Sequence, residues 1–144
     1  MNLKEIFRIQ NVLKKSGYFD ISRIANEIYE YSTLNNIPID SILKRISNQE
    51  PWEYIRGFTE FRGRTFLLTK NTLIPRVESE QLVDIAMELI EKENIKKVID
   101  VGTGSGCLII SIAEEVEKED IEYIGVDISK EALKVAEKND RKNK

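Results

Sequence analysis

Along this chain the apolar residues fall mostly at three- and four-residue intervals, with short continuous runs in only a few places. Residues 2–15 set Leu3, Ile6, Phe7, Val12 and Leu13 at helical spacing, with Lys14 and Lys15 near the end and Gly17 as a stop. Asp20 is a candidate cap for a second helix, whose apolar side carries Ile21, Ile24, Ala25 and Ile28; the stretch from Leu34 to Pro38 breaks it. Asp40 is the candidate cap of a third helix, with Ile42, Leu43 and Ile46 turned inward. Residues 1–50 therefore read as a small helical bundle, in which such stripes form core and no side chain suggests catalysis.

The pattern then changes. Pro51 to Ile55 reads as a short helical turn with proline tolerated at its start. Phe58-Thr59-Glu60-Phe61 and Thr65-Phe66-Leu67-Leu68-Thr69 flank Arg62-Gly63-Arg64, which predicts a β-hairpin with glycine where φ is positive. A hairpin alone is marginal in water, so it must lean on a neighbour. Residues 51–75 are expected to link the helical domain to an α/β domain over 76–144. There, Ser79 is a candidate cap with Glu80 behind it, and Leu82, Val83, Ile85, Ala86, Leu89 and Ile90 give a strong amphipathic helix.

The most informative stretch is Val98-Ile99-Asp100-Val101-Gly102-Thr103-Gly104-Ser105-Gly106. A short β-branched run enters a cluster of glycines, which suits a buried parallel strand and a tight turn. The apolar run Cys107–Ala113 is ambiguous by periodicity alone, but its length and the charges after it favour a helix. A second strand, Tyr123-Ile124-Gly125-Val126, ends at Asp127, 21 residues after Gly106, and Ser129 can cap a last helix. A carboxylate at the tip of the second strand can accept hydrogen bonds from both hydroxyls of a ribose. The glycine spacing is G-x-G-x-G rather than the dinucleotide G-x-G-x-x-G, and Asp100 stands two residues before the first glycine. A carboxylate there repels a pyrophosphate but suits a cofactor bearing an ammonium and a sulfonium. The expected cofactor is therefore S-adenosylmethionine, with a nicotinamide or flavin nucleotide, or a glycine-rich turn that holds no ligand, as the alternatives. The candidate cofactor residues are Asp100, Gly102, Thr103, Gly104, Ser105, Gly106, Asp127 and Ile128. Pro75, Arg76, Glu78, Ser79 and Glu80 are candidates for a loop over cofactor or substrate. None of these readings supplies a catalytic side chain or a metal site.

Composition narrows the picture. The chain has 144 residues, 33% of them charged, with no apolar run of membrane-spanning length. Cys107 is the single cysteine and histidine is absent, so intrachain disulfides, His-based triads and most zinc sites are excluded, and a cytoplasmic setting fits. Residues 1–80 carry 12 basic and 10 acidic groups, whereas 81–144 carry 10 and 15. The first part could suit an acidic partner such as RNA, and a solvated helix surface explains it equally well.

Taken together, Trp52-Glu53-Tyr54-Ile55-Arg56-Gly57, Phe61-Arg62-Gly63-Arg64-Thr65-Phe66, Leu73-Ile74-Pro75-Arg76-x-Glu78-Ser79-Glu80 and the glycine motif with Asp127 resemble the protein-(glutamine-N5) methyltransferases that modify peptide-chain release factors. Val77 stands where the family has proline, and Ser79 where it has threonine. The resemblance implies a helical N-terminal domain, a hairpin and the first part of a Rossmann-like class I methyltransferase domain. It implies adenosylmethionine as cofactor, and a release-factor Gly-Gly-Gln loop as the protein substrate methylated on glutamine nitrogen. The family's Asn-Pro-Pro-Tyr motif, which grips the glutamine amide, is absent. The expectation is therefore a truncated, inactive piece with two parallel strands, Lys97–Val101 and Glu122–Val126, and an exposed sheet edge open to self-association. The competing readings are a nucleic-acid adenine N6-methyltransferase and a non-enzymatic module that binds a release factor or ribosome-linked partner.

Overall fold

The computed structural model describes residues 2–118 and 120–143. It divides into two compact units, Met1–Arg56 and Gly57–Lys144.

The first unit is helical: α1 (Leu3–Lys15), α2 (Ile21–Asn35), α3 (Ile39–Ser47) and the short α4 (Trp52–Arg56). Ile6, Ile9 and Leu13 form the inward line of α1, and Ile28, Ile46 and Trp52 are buried with them. Trp52 is pinned on several sides. Its indole N–H donates to Glu27 at 3.0 Å, its backbone N–H donates to the Tyr18 hydroxyl at 2.9 Å, and Tyr31 meets its ring edge-on with centroids 5.3 Å apart. Three expectations need correction. Leu3 and Phe7 are exposed, while Ile9 is fully buried; the inward face is the narrow line at 6, 9 and 13. Asp20 makes no side-chain cap bond, because its carboxylate is held by Arg23 Nε at 2.6 Å. Asp40 lies inside the first turn of α3, where Pro38 is the capping position, and its carboxylate pairs with Arg8.

The second unit is α/β. It opens with a hairpin, β1 (Phe58–Phe61) and β2 (Arg64–Leu67), in register from Phe58 opposite Leu67 to Phe61 opposite Arg64. The turn is just Arg62-Gly63, both at positive φ, 48° and 69°, as a two-residue hairpin matched to strand twist requires. After a 3-10 turn at Val77–Ser79 come α5 (Glu80–Lys92), β3 (Lys97–Val101), α6 (Cys107–Glu115), β4 (Glu122–Val126) and α7 (Lys130–Asn143). Strands β3 and β4 pair in parallel from Lys97 opposite Glu122 to Val101 opposite Val126, with α6 as the crossover helix. Phe61, Phe66, Val83, Ile90, Ile109 and Ile112 are buried in one core.

The hairpin leans on this core and is clamped at its turn. The Arg62 guanidinium reaches Glu115 at 2.5 Å and Asp84 at 2.8 Å, its backbone N–H donates to Glu80 at 2.8 Å, and Arg64 adds a second contact to Glu115 at 2.7 Å. Two details differ from the sequence pattern. Ser79 already has helical φ and ψ and makes no side-chain cap bond, because the 3-10 turn draws it into the helix. The buried line of α5 is Val83 and Ile90, backed by Ala86 and Met87, whereas Leu82, Ile85 and Leu89 are about half exposed. The inward face is rotated roughly a quarter turn from the centre of the apolar stripe. Along β3, half-buried Val98 and Asp100 alternate with exposed Lys97, Ile99 and Val101, so one face of the small sheet is covered and the other is open.

Candidate functional site

At the carboxyl ends of β3 and β4 the chain builds a compact turn from backbone groups. The N–H groups of Gly102 and Thr103 both donate to the Val126 carbonyl, at 2.8 and 2.9 Å, and that of Gly106 donates to the Thr103 carbonyl at 2.8 Å. The Thr103 hydroxyl donates to Asp100 at 2.8 Å. The glycines have different reasons to be there. Gly102 and Gly106 both sit at φ +80°, but a Cβ on Gly102 would meet open space. A Cβ on Gly106 would lie 2.8 Å from Ile110 Cδ1 and 3.2 Å from Ala136 Cβ. Gly106 is therefore the close-packing residue between α6 and α7, and Gly102 leaves the rim of the turn open to a ligand. Gly125 lets Thr103 lie against β4, since a Cβ there would fall 2.9 Å from the Thr103 hydroxyl.

Asp127 joins this turn directly. One carboxylate oxygen accepts the Gly104 N–H at 2.9 Å and the other the Ser129 N–H at 2.8 Å. Those two donors, Ser129 first, hold its carboxyl below the usual aspartate value, so it is an anion at neutral pH. A carboxylate offers about four acceptor positions; with two filled, about two remain for a ligand. Ser129 also caps α7, its hydroxyl accepting the Ala132 N–H at 3.1 Å.

A cleft of about 160 Å³ lies beside the turn. Pro75, Arg76 and Ser79 line it together with Gly102, Thr103 and Gly104. The loop and the glycine turn, far apart in sequence, thus share one hollow. Glu78 is exposed, and Glu80 is engaged with the hairpin turn through Arg62. Ile128 is almost fully exposed beside Asp127. The first unit holds a larger hollow, about 440 Å³, lined by Tyr18, Phe19, Ile24 and Ile46 among others. The cleft at the glycine turn is the stronger candidate, because strand ends and open backbone meet there; Asp100, Gly106, Asp127 and Ile128 do not line it, and Asp127 adjoins it through its bond to the Gly104 N–H. Among the described residues no group of three or more His, Cys, Asp or Glu could hold a metal, and no helix is long and apolar enough to cross a membrane.

Sequence reasoning passed over Asn139. It is fully buried on α7 and bonds to both Leu67 of the hairpin and Ser105 of the turn. The available signal was its place on the apolar line Ala132, Val135, Ala136, Asn139, where an amide must find partners.

Comparison with known proteins bears on the same segment. A family model described as a methyltransferase domain matches residues 92–144, which hold β3, the glycine turn, β4 and Asp127. The release factor glutamine methyltransferase of Buchnera aphidicola is 35% identical over 138 residues, 96% of this chain and 48% of that protein. By sequence, this chain belongs to the release factor glutamine methyltransferase family. The Lactococcus lactis member is 34% identical over 95% of the chain and 48% of its own length, and the Koribacter versatilis member 43% identical over 69% and 35%. The chain therefore spans between a third and a half of the length of these release factor glutamine methyltransferases.

Proposed function

We propose that this chain carries the cofactor-binding part of an S-adenosylmethionine-dependent methyltransferase whose substrate is the glutamine of a Gly-Gly-Gln loop in a peptide-chain release factor. The observation that supports it most is the bond from the Gly104 N–H to Asp127, which sets an open glycine turn and an anionic carboxylate side by side. When bound, S-adenosylmethionine supplies an electrophilic methyl group on a positively charged sulfur.

The residues present fit such a group. Asp127 keeps acceptor positions for the two ribose hydroxyls, and exposed Ile128 next to it offers apolar surface to a purine. Gly102 to Gly106 run beneath the methionine part, where the missing side chain on Gly102 leaves room. Asp100, steadied by Thr103, favours the cofactor's positive charges. Pro75, Arg76 and Ser79 form the facing wall, the part of the loop best placed to meet cofactor or substrate. A glutamine amide is a weak nucleophile because its lone pair is delocalised, so its reaction depends on alignment and fixed dipoles. The cofactor-side alignment is what these residues provide, and none of them is assigned a catalytic role. The reading entails a protein partner and a cytoplasmic setting.

The names of the relatives favour a release factor over a nucleic-acid adenine, and the acidic balance of residues 81–144 points the same way. Calorimetry with S-adenosylhomocysteine tests the proposal. The wild-type chain binds, and Asp127→Ala weakens binding at least tenfold; equal affinity would remove Asp127 from the site and with it the cofactor reading.

A further inference from the structure

Asn139 has no exposed surface, and three of the four hydrogen-bonding positions of its amide are filled by backbone groups. Its Oδ1 accepts the Leu67 N–H at 2.7 Å, and its Nδ2 donates to the Leu67 carbonyl at 3.0 Å and to the Ser105 carbonyl at 2.8 Å. The two bonds to Leu67 extend the outer edge of β2 as a further strand would. The third reaches the centre of the glycine turn. Ser105 is itself buried and stands between Gly104, whose N–H meets Asp127, and Gly106, whose N–H closes on Thr103. Glycine on both sides gives this peptide little conformational preference of its own. A tether from outside the turn is what selects one arrangement.

We infer that Asn139 is a positioning residue for the cofactor site: by holding the Ser105 carbonyl it fixes the plane of the turn, and so the direction in which the Gly104 N–H faces Asp127. The inference rests on the adenosylmethionine reading, and its test separates the two. Asn139→Ala removes all three bonds, and Val83→Ala, at a fully buried site on α5 of the same unit, serves as a control that loses packing but none of these bonds. Both are compared with wild type as ¹⁵N-labelled chains at a temperature where all are folded. Asn139→Ala shifts or broadens the amide signals of Gly104, Ser105 and Gly106 and weakens S-adenosylhomocysteine binding roughly tenfold, the scale of one lost buried hydrogen bond; Val83→Ala moves neither beyond twofold. If Asn139→Ala lowers the melting temperature as the control does and leaves turn signals and affinity unchanged, Asn139 only supports the hairpin and the inference is overturned. If Asn139→Ala does not fold, titration of the wild type decides. The Asn139 side-chain amide signals move with the same midpoint as Gly104, and unmoved signals overturn the inference. A wild type that binds no S-adenosylhomocysteine sinks the cofactor reading, while the turn signals of the variant still settle what Asn139 does.

Discussion

Glu115 closes the clamp on the hairpin turn, and its removal has a calculable cost. Its carboxylate accepts from Arg62 Nε at 3.0 Å, from the Arg62 terminal nitrogen at 2.5 Å and from Arg64 at 2.7 Å. The Glu115 and Arg62 side chains are each 19% exposed. Exposed ion pairs contribute about 0–1 kcal/mol, and breaking a buried pair costs about 3–5 kcal/mol. A largely covered, multidentate site lies between, so Glu115→Gln costs about 2 kcal/mol. For a unit of this size that is a fall of roughly 10 °C in melting temperature. The Arg62 guanidinium, and then the Arg64 charge, hold the Glu115 carboxyl below the usual glutamate value. Its folded value is thus lower than its unfolded one, so its contribution is full above the ordinary glutamate pKa and fades as pH falls through the folded value. Urea unfolding of wild type, Glu115→Gln, Arg62→Met and the double variant at pH 7 and again near pH 3 measures both effects. The expected coupling energy is about 1–2 kcal/mol at pH 7, and it shrinks in acid. A loss under 0.5 kcal/mol, or a coupling that does not change with pH, would refute the clamp.

Two further outcomes follow from packing. Gly106→Ala costs about 3 kcal/mol, from positive φ and from overlap with Ile110 and Ala136, whereas Gly102→Ala, with open space around it, costs about 1 kcal/mol; thermal melts of both variants check the order. Trp52→Ala costs about 4 kcal/mol and unfolds the first unit, with loss of helical circular dichroism; because Trp52 is the single tryptophan, its fluorescence cannot serve as the probe.

The parts legible in the sequence were those where chemistry leaves few options. A β-branched run stopping at glycines gave β3 and its turn, the run before Asp127 gave β4, and Arg62-Gly63 gave the hairpin. The helix faces were less legible. On α5 apolar residues cover so much of the circumference that Leu82, Ile85 and Leu89 qualified as readily as Val83 and Ile90, and only the position of the core separates them. Caps failed for two reasons: Arg23 takes the Asp20 carboxylate, whereas Asp40 and Ser79 lie in helical turns rather than ahead of them. Asn139 and Gly125 were passed over because their partners, Ser105, Leu67 and Thr103, lie at least 20 positions away and no local pattern names them.

The proposed site requires that the glycine turn and Asp127 together hold an adenosyl group. A crystal structure of the chain grown with S-adenosylhomocysteine would decide it. Both ribose hydroxyls are expected within hydrogen-bond distance of the Asp127 carboxylate, with the ligand's amino-acid end over Gly102 and Gly104. A ligand seated elsewhere, with Asp127 still facing water, would contradict it.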